Sequence, residues 1–107
     1  MTDTSNRPIS EQFRVVAKQW VDAENAARML EETKTAVLSQ RMQALGDMPV
    51  SSAERTVKAS PEWSEFIHSM VEARTAANRL KVQLEYIRMQ SHEHQSYEAT
   101  RRAEMKL

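Results

Sequence analysis

The chain has no cysteine, a single glycine and three prolines in 107 residues, and its six aromatic side chains are two each of Trp, Tyr and Phe. Without cysteine there is no disulfide framework, thiolate nucleophile or cysteine-ligated metal. One glycine cannot build a phosphate-cradling loop. No apolar run approaches the ~20 residues of a bilayer span, so no membrane partner is expected. Charge of one sign is also lacking. Lys plus Arg equals Asp plus Glu at 15 each, which removes the broad electrostatic pull that drives binding to nucleic acid or an acidic membrane. Residues 1–10 are polar, with no basic segment followed by an apolar core, so a signal peptide is not expected and the chain reads as cytoplasmic.

More than half of the residues are Ala, Glu, Lys, Leu, Arg, Met or Gln, all good helix formers, whereas Leu, Ile, Val and Phe together supply under a fifth. This is the composition of a helical protein with a thin core. Proline and glycine divide it. Pro8 closes a tail over 1–9, and Ser10 is placed to cap a helix over 10–45. Gly46 stands where a C-terminal glycine belongs, with Pro49 beyond it as a stop. A connector spans 46–60, where Ser51 and Glu54 at capping-box spacing predict a short helix over 52–58. Ser60-Pro61-Glu62 is the clearest start signal: a capping serine, proline at the first helical position and an acid in the first turn.

The apolar residues recur in steps of three and four. In the first helix they are Phe13, Val16, Trp20, Ala23, Ala27, Leu30, Val37 and Ala44, interrupted by Lys34 and Arg41. In the second they are Trp63, Phe66, Met70, Ala73, Ala77, Leu80, Leu84 and Ile87, after which the same positions turn polar. Such heptads pack helix along helix at a shallow angle. The short connector folds the second helix back, which sets Val16 opposite Ile87, Trp20 opposite Leu84, Ala27 opposite Ala77 and Val37 opposite Phe66. Closest approach is expected around Ala26, Ala27, Ala76 and Ala77. The expected fold is therefore all-α: an antiparallel hairpin of two long helices over 10–94, with a short helix in its connector and an overhanging helical segment over 95–107. Residues 20–30 also match 70–80 at an offset of 50, with five identities; this reads as two helices under shared packing constraints, with duplication as the alternative. Val15, Val21, Ile67, Val71 and Val82 lie beside the seam, and a lone two-helix core is thin, so dimerisation into a helical bundle is expected.

Catalytic and metal-binding patterns are missing. His92 and His94, two residues apart on a helix, point away from each other, and His94 with Glu98 supplies only two ligands. Serines scattered over helical faces make no nucleophile–base set. No catalytic, metal-binding or cofactor-binding residues are assigned, and the chain reads as a non-enzyme. Trp20 and Trp63 read as seam anchors, and Met42 and Met70 as core filling. The candidate partner-binding residues are Tyr86, Gln90, His94, Tyr97, Arg101, Arg102 and Met105. They form a stripe of polar aromatics and guanidinium groups of the kind enriched at interfaces. The same stripe, with the basic ending Arg101-Arg102-Ala103-Glu104-Met105-Lys106, supports an alternative as a small nucleic-acid-binding accessory protein. A structural subunit of a larger assembly is the third reading.

The paired long helices resemble the small secreted WXG proteins, yet Leu45-Gly46-Asp47-Met48-Pro49 stands where their Trp-x-Gly turn would be. Tyr97-Glu-Ala-Thr-Arg101 also lacks the acid of their export signal, and that match fails. The helix start Lys58-Ala-Ser-Pro-Glu-Trp63 and the ending Ala99-Thr-Arg-Arg-Ala-Glu-Met-Lys-Leu107 resemble short helical proteins of tailed phages and prophages. That resemblance implies an accessory or counter-defence factor in a bacterial cytoplasm, acting by binding a host or phage protein. It assigns no site residues.

Overall fold

The computed structural model of the chain describes residues 7–106. Most of the expected tail, residues 1–6, and the final Leu107 lie outside them. Among the described residues the protein is all-helical: α1 spans Ile9–Gln43, α2 Val50–Lys58 and α3 Pro61–Met105, so two long helices are joined by a short one. No described helix is long and apolar enough to cross a membrane.

The helix ends follow local chemistry. At the start of α3 the Ser60 hydroxyl accepts a hydrogen bond from the Trp63 backbone N–H at 3.2 Å and donates one to the Val57 carbonyl at 2.6 Å. Ser60 thus caps α3 and ties it to the end of α2. α1 closes through a turn in which the Gly46 N–H donates to the Gln43 carbonyl at 3.1 Å, and Gly46 takes φ +80°, the left-handed conformation that residues with a Cβ avoid. Two caps differ from the sequence expectation. α2 begins at Val50 with Pro49 at its cap and no side-chain hydrogen bond there, so Ser51 lies inside the helix. Ser10 likewise lies inside α1, and the Gln12 N–H reaches back to the Pro8 carbonyl at 3.0 Å. In both places a proline, whose ring fixes φ, precedes the first helical residue.

The chain forms two compact units. Asp22–Ala77 holds the rest of α1, all of α2 and the beginning of α3, and is an antiparallel helical hairpin. α2 buries Ala53 and Val57, one turn apart on one face. Trp63 is buried and stacks on Phe66 with ring centroids 5.5 Å apart. Arg41, a charged residue at a seam position, lays its guanidinium over the Phe66 ring at 5.9 Å, which explains how the apolar pattern tolerates it. Lys34, the other interruption, is exposed, and Thr33 beside it is half-buried. Ala27 and Ala77 are completely buried at 0 % exposure, as the expected register requires. Their neighbours Ala26 and Ala76 are exposed: two adjacent helical residues diverge by about 100°, so only the heptad member of each alanine pair is enclosed.

In the other unit, the described residues of Met1–Val21 pack on those of Asn78–Leu107. Val16, Leu84 and Ile87 are buried together, with Ile9, Phe13, Ala17, Trp20 and Leu80 packed around them. Arg88 lies over the Phe13 ring at 5.9 Å.

Candidate interaction surface on α3

Within the hairpin unit, Arg74 is the best-connected polar residue. Its guanidinium donates to Glu31 at 2.8 and 2.7 Å and to Glu24 at 2.6 Å, bridging α3 to two acids one heptad apart on α1. The fork geometry of arginine makes the Glu31 pair bidentate. Hydrogen bonding from Arg74 holds both carboxyls below the ordinary carboxylate range, and the acids in turn raise the arginine. This is a structural clamp, with both guanidinium edges occupied. His68 pairs with Glu72 one turn away at 2.9 Å on the solvent face. Among the described residues no group of three or more His, Asp or Glu side chains is placed to hold a metal ion. Buried side-chain nitrogens without a hydrogen-bond partner there are Trp20 Nε1 and Arg41 Nη1.

The sequence-derived stripe lies on the part of α3 that belongs to the other unit. At about 100° per residue, Tyr86, Gln90, His94, Tyr97, Arg101 and Met105 share one face of the helix, within an arc of about 100°. Arg102 does not join them; it sits about 60° beyond the edge of that arc, in line with Leu84 and Ser91. Tyr86, Tyr97 and Met105 are 55 %, 65 % and 75 % exposed, and His94, Arg101 and Arg102 are exposed as well. Gln90 is half-buried and donates from Nε2 to the Tyr86 hydroxyl at 3.3 Å, steadying that ring one turn away. Arg102 Nε reaches the Glu98 carbonyl at 3.4 Å.

The first turns of α1 meet α3 near Ser91: Ile9, Ser10 and Phe13 line a groove of ≈ 320 Å³ with Ile87, Arg88 and Ser91. Past that point every described residue is exposed except half-buried Glu98. The heptads lose their apolar members at the same place, after Ile87.

The sequence reading missed a second surface. Met89 lies with Glu85, Arg88 and His92 around a groove of ≈ 360 Å³. These four residues have the i, i+3, i+4, i+7 spacing that accepts a side chain from another helix. Val82, noted only as surplus beside the seam, and Met89 are 64 % and 58 % exposed and mark the outer ridge of α3 here. The signal was present in the spacing of Val82, Tyr86 and Met89, a second heptad line almost opposite the first.

No protein-family model, curated protein or solved structure matches this chain.

Proposed function

We propose that the protein is a non-enzymatic helical interaction module that associates with itself and holds a protein partner on the C-terminal part of α3. One observation carries this reading: α3 continues for several turns past Ser91 with Tyr97, Met105 and its arginines exposed, and every described residue there except half-buried Glu98 is exposed. Ordering such a length of helix is costly unless another surface meets it. Tyr97 and Arg101 are of the residue types that dominate binding energy at interfaces. A protein partner fits better than nucleic acid because Glu93, Glu98 and Glu104 are interspersed with the arginines, which prevents a continuous basic track. The phage resemblance extends the proposal to an accessory or counter-defence role through binding a host or phage protein.

Truncation after His94 tests the reading. The buried cluster of Val16, Leu84 and Ile87 lies wholly before the cut, so the shortened chain is expected to keep most of its thermal stability. Affinity capture from the native host, read by mass spectrometry, is expected to recover a partner with the full chain and lose it with the truncated one. Equal recovery by both refutes the proposed surface, and a salt-sensitive gel shift with the full chain would favour nucleic acid instead.

A further inference from the structure

Three features coincide on the outer ridge of α3 between residues 79 and 93. Val82, Tyr86 and Met89, at i, i+4 and i+7, are all more than half exposed. The groove beside Met89 has the four-residue spacing of a knob-accepting hole. The third feature is charge. Arg79 and Glu93 are exposed, lie seven residues to either side of Tyr86 and differ in sign. Neither forms an ion pair among the described residues. Their helical neighbours explain why. No acid stands three or four residues from Arg79, and no base stands three or four residues from Glu93, whereas Glu85 has Lys81 and Arg88 at those spacings. The charges at the ends of the ridge are left without partners in their own helix.

We infer that this ridge is the self-association surface, and that its occupant is a second copy of the same ridge, laid antiparallel about a two-fold axis at Tyr86. An isologous contact of this kind pairs residue i with j and j with i. Arg79 then faces Glu93 of the other copy and Glu93 faces its Arg79, which satisfies all four charges. Val82 falls at the level of Gln90 in the other copy, one residue past Met89 and beside its groove, so each chain supplies a knob and a hole. The parallel arrangement is disfavoured by the same charges, because it sets Arg79 against Arg79 and Glu93 against Glu93. Three apolar residues per copy make a modest interface, so the dissociation constant is expected to be on the order of micromolar. The inference rests on the self-association part of the function proposed above and leaves residues 95–107 free for another protein.

The test uses the full chain in sedimentation velocity. The wild type is expected to dimerise at about 100 µM and to weaken with added salt. R79E places two acids at each end of the contact and E93R places two bases, so each alone is expected to lose at least tenfold in affinity. Mixed one to one, they restore every pair and should form a heterodimer close to wild-type strength. V82E, which leaves the charges in place but puts a carboxylate at the groove, is expected to be monomeric with unchanged circular dichroism. A wild type that stays monomeric at that concentration overturns the inference. So does a dimer equally tight in R79E, E93R and V82E, which must use another face. Capture of a partner by R79E that still depends on residues 95–107 would leave the partner-binding reading standing on its own.

Discussion

Replacing Ala27 by leucine probes the closest approach in the hairpin unit. Ala27 and Ala77 are both at 0 % exposure, and the Glu31–Arg74 ion pair at 2.7 Å shows that α1 and α3 are held together there. A leucine adds three carbons where no room exists, so the helices must separate or the side chain must leave its preferred rotamer. Overpacking of this kind costs about 1–3 kcal/mol. For a domain of this size that corresponds to roughly 5–20 °C in melting temperature. Ala26→Leu supplies the control one residue away: the site is exposed, alanine and leucine are both strong helix formers, and the expected change is within about 0.5 kcal/mol. The pair Ala77→Leu and Ala76→Leu should repeat the contrast from the facing helix. Thermal melts followed by far-UV circular dichroism at one fixed concentration decide it. Equal melting temperatures for Ala27→Leu and Ala26→Leu would refute the assignment of Ala27 to the contact, and the register with it.

Two further outcomes follow from the hairpin unit. Cysteines at Ala27 and Ala77 are expected to form a disulfide within one chain under mild oxidation, seen as a mobility shift of the monomer; bonding only between chains would require a different pairing of the helices. Acid should remove the contribution of the Arg74 clamp. Because Glu24 and Glu31 have lowered folded-state values, caused first by the hydrogen bonds from Arg74, the unfolded chain binds more protons as pH falls. The stabilisation is therefore complete above the unfolded carboxyl value of about 4.3 and disappears as pH drops through the lower folded value. The stability gap between wild type and Arg74→Gln, measured by denaturant titration, should be constant from neutral pH to about pH 5 and shrink below about pH 4. A gap that does not change with acid would mean that Arg74 acts through packing alone.

Much of the architecture is legible from periodicity because a helix exposes its packing line directly in the sequence. Every position from Trp63 to Ile87 in the second seam is buried or half-buried, and the cap at Ser60 was readable because a serine, a proline and an acid each do one local job. The misreadings have equally local causes. The cluster Ala26, Ala27, Ala76 and Ala77 marks where the helices come close, but only its heptad members Ala27 and Ala77 are enclosed. Ser51 with Glu54 has capping-box spacing, but Pro49 already sets the backbone angle that starts α2 two residues earlier. Arg41 breaks the apolar pattern, and its place over Phe66 depends on a residue of the other helix. On α3 the spacing of Tyr86, Gln90, His94, Tyr97 and Arg101 was enough to put them on one face, while Arg102, counted with them, lies off it. The Met89 groove escaped notice because its other walls, Glu85, Arg88 and His92, are charged or titratable and contribute their aliphatic and ring carbons rather than apolar side chains.

The Arg74 bridge also bears on how the chain finds a single alignment. Two heptad patterns can be slid past one another by seven residues and still match apolar to apolar, so burial alone leaves a ladder of competing alignments. One guanidinium reaching two acids seven residues apart discriminates between neighbouring rungs. Slide α3 one heptad along α1 in one direction and Arg74 falls between Glu31 and Leu38; in the other direction it falls between Glu24 and Ala17. Either slipped state forfeits one of the two pairs, and each leaves a carboxylate without its cation. The bridge behaves as a vernier mark on an otherwise repeating scale, and it widens the gap between the native alignment and its nearest rivals.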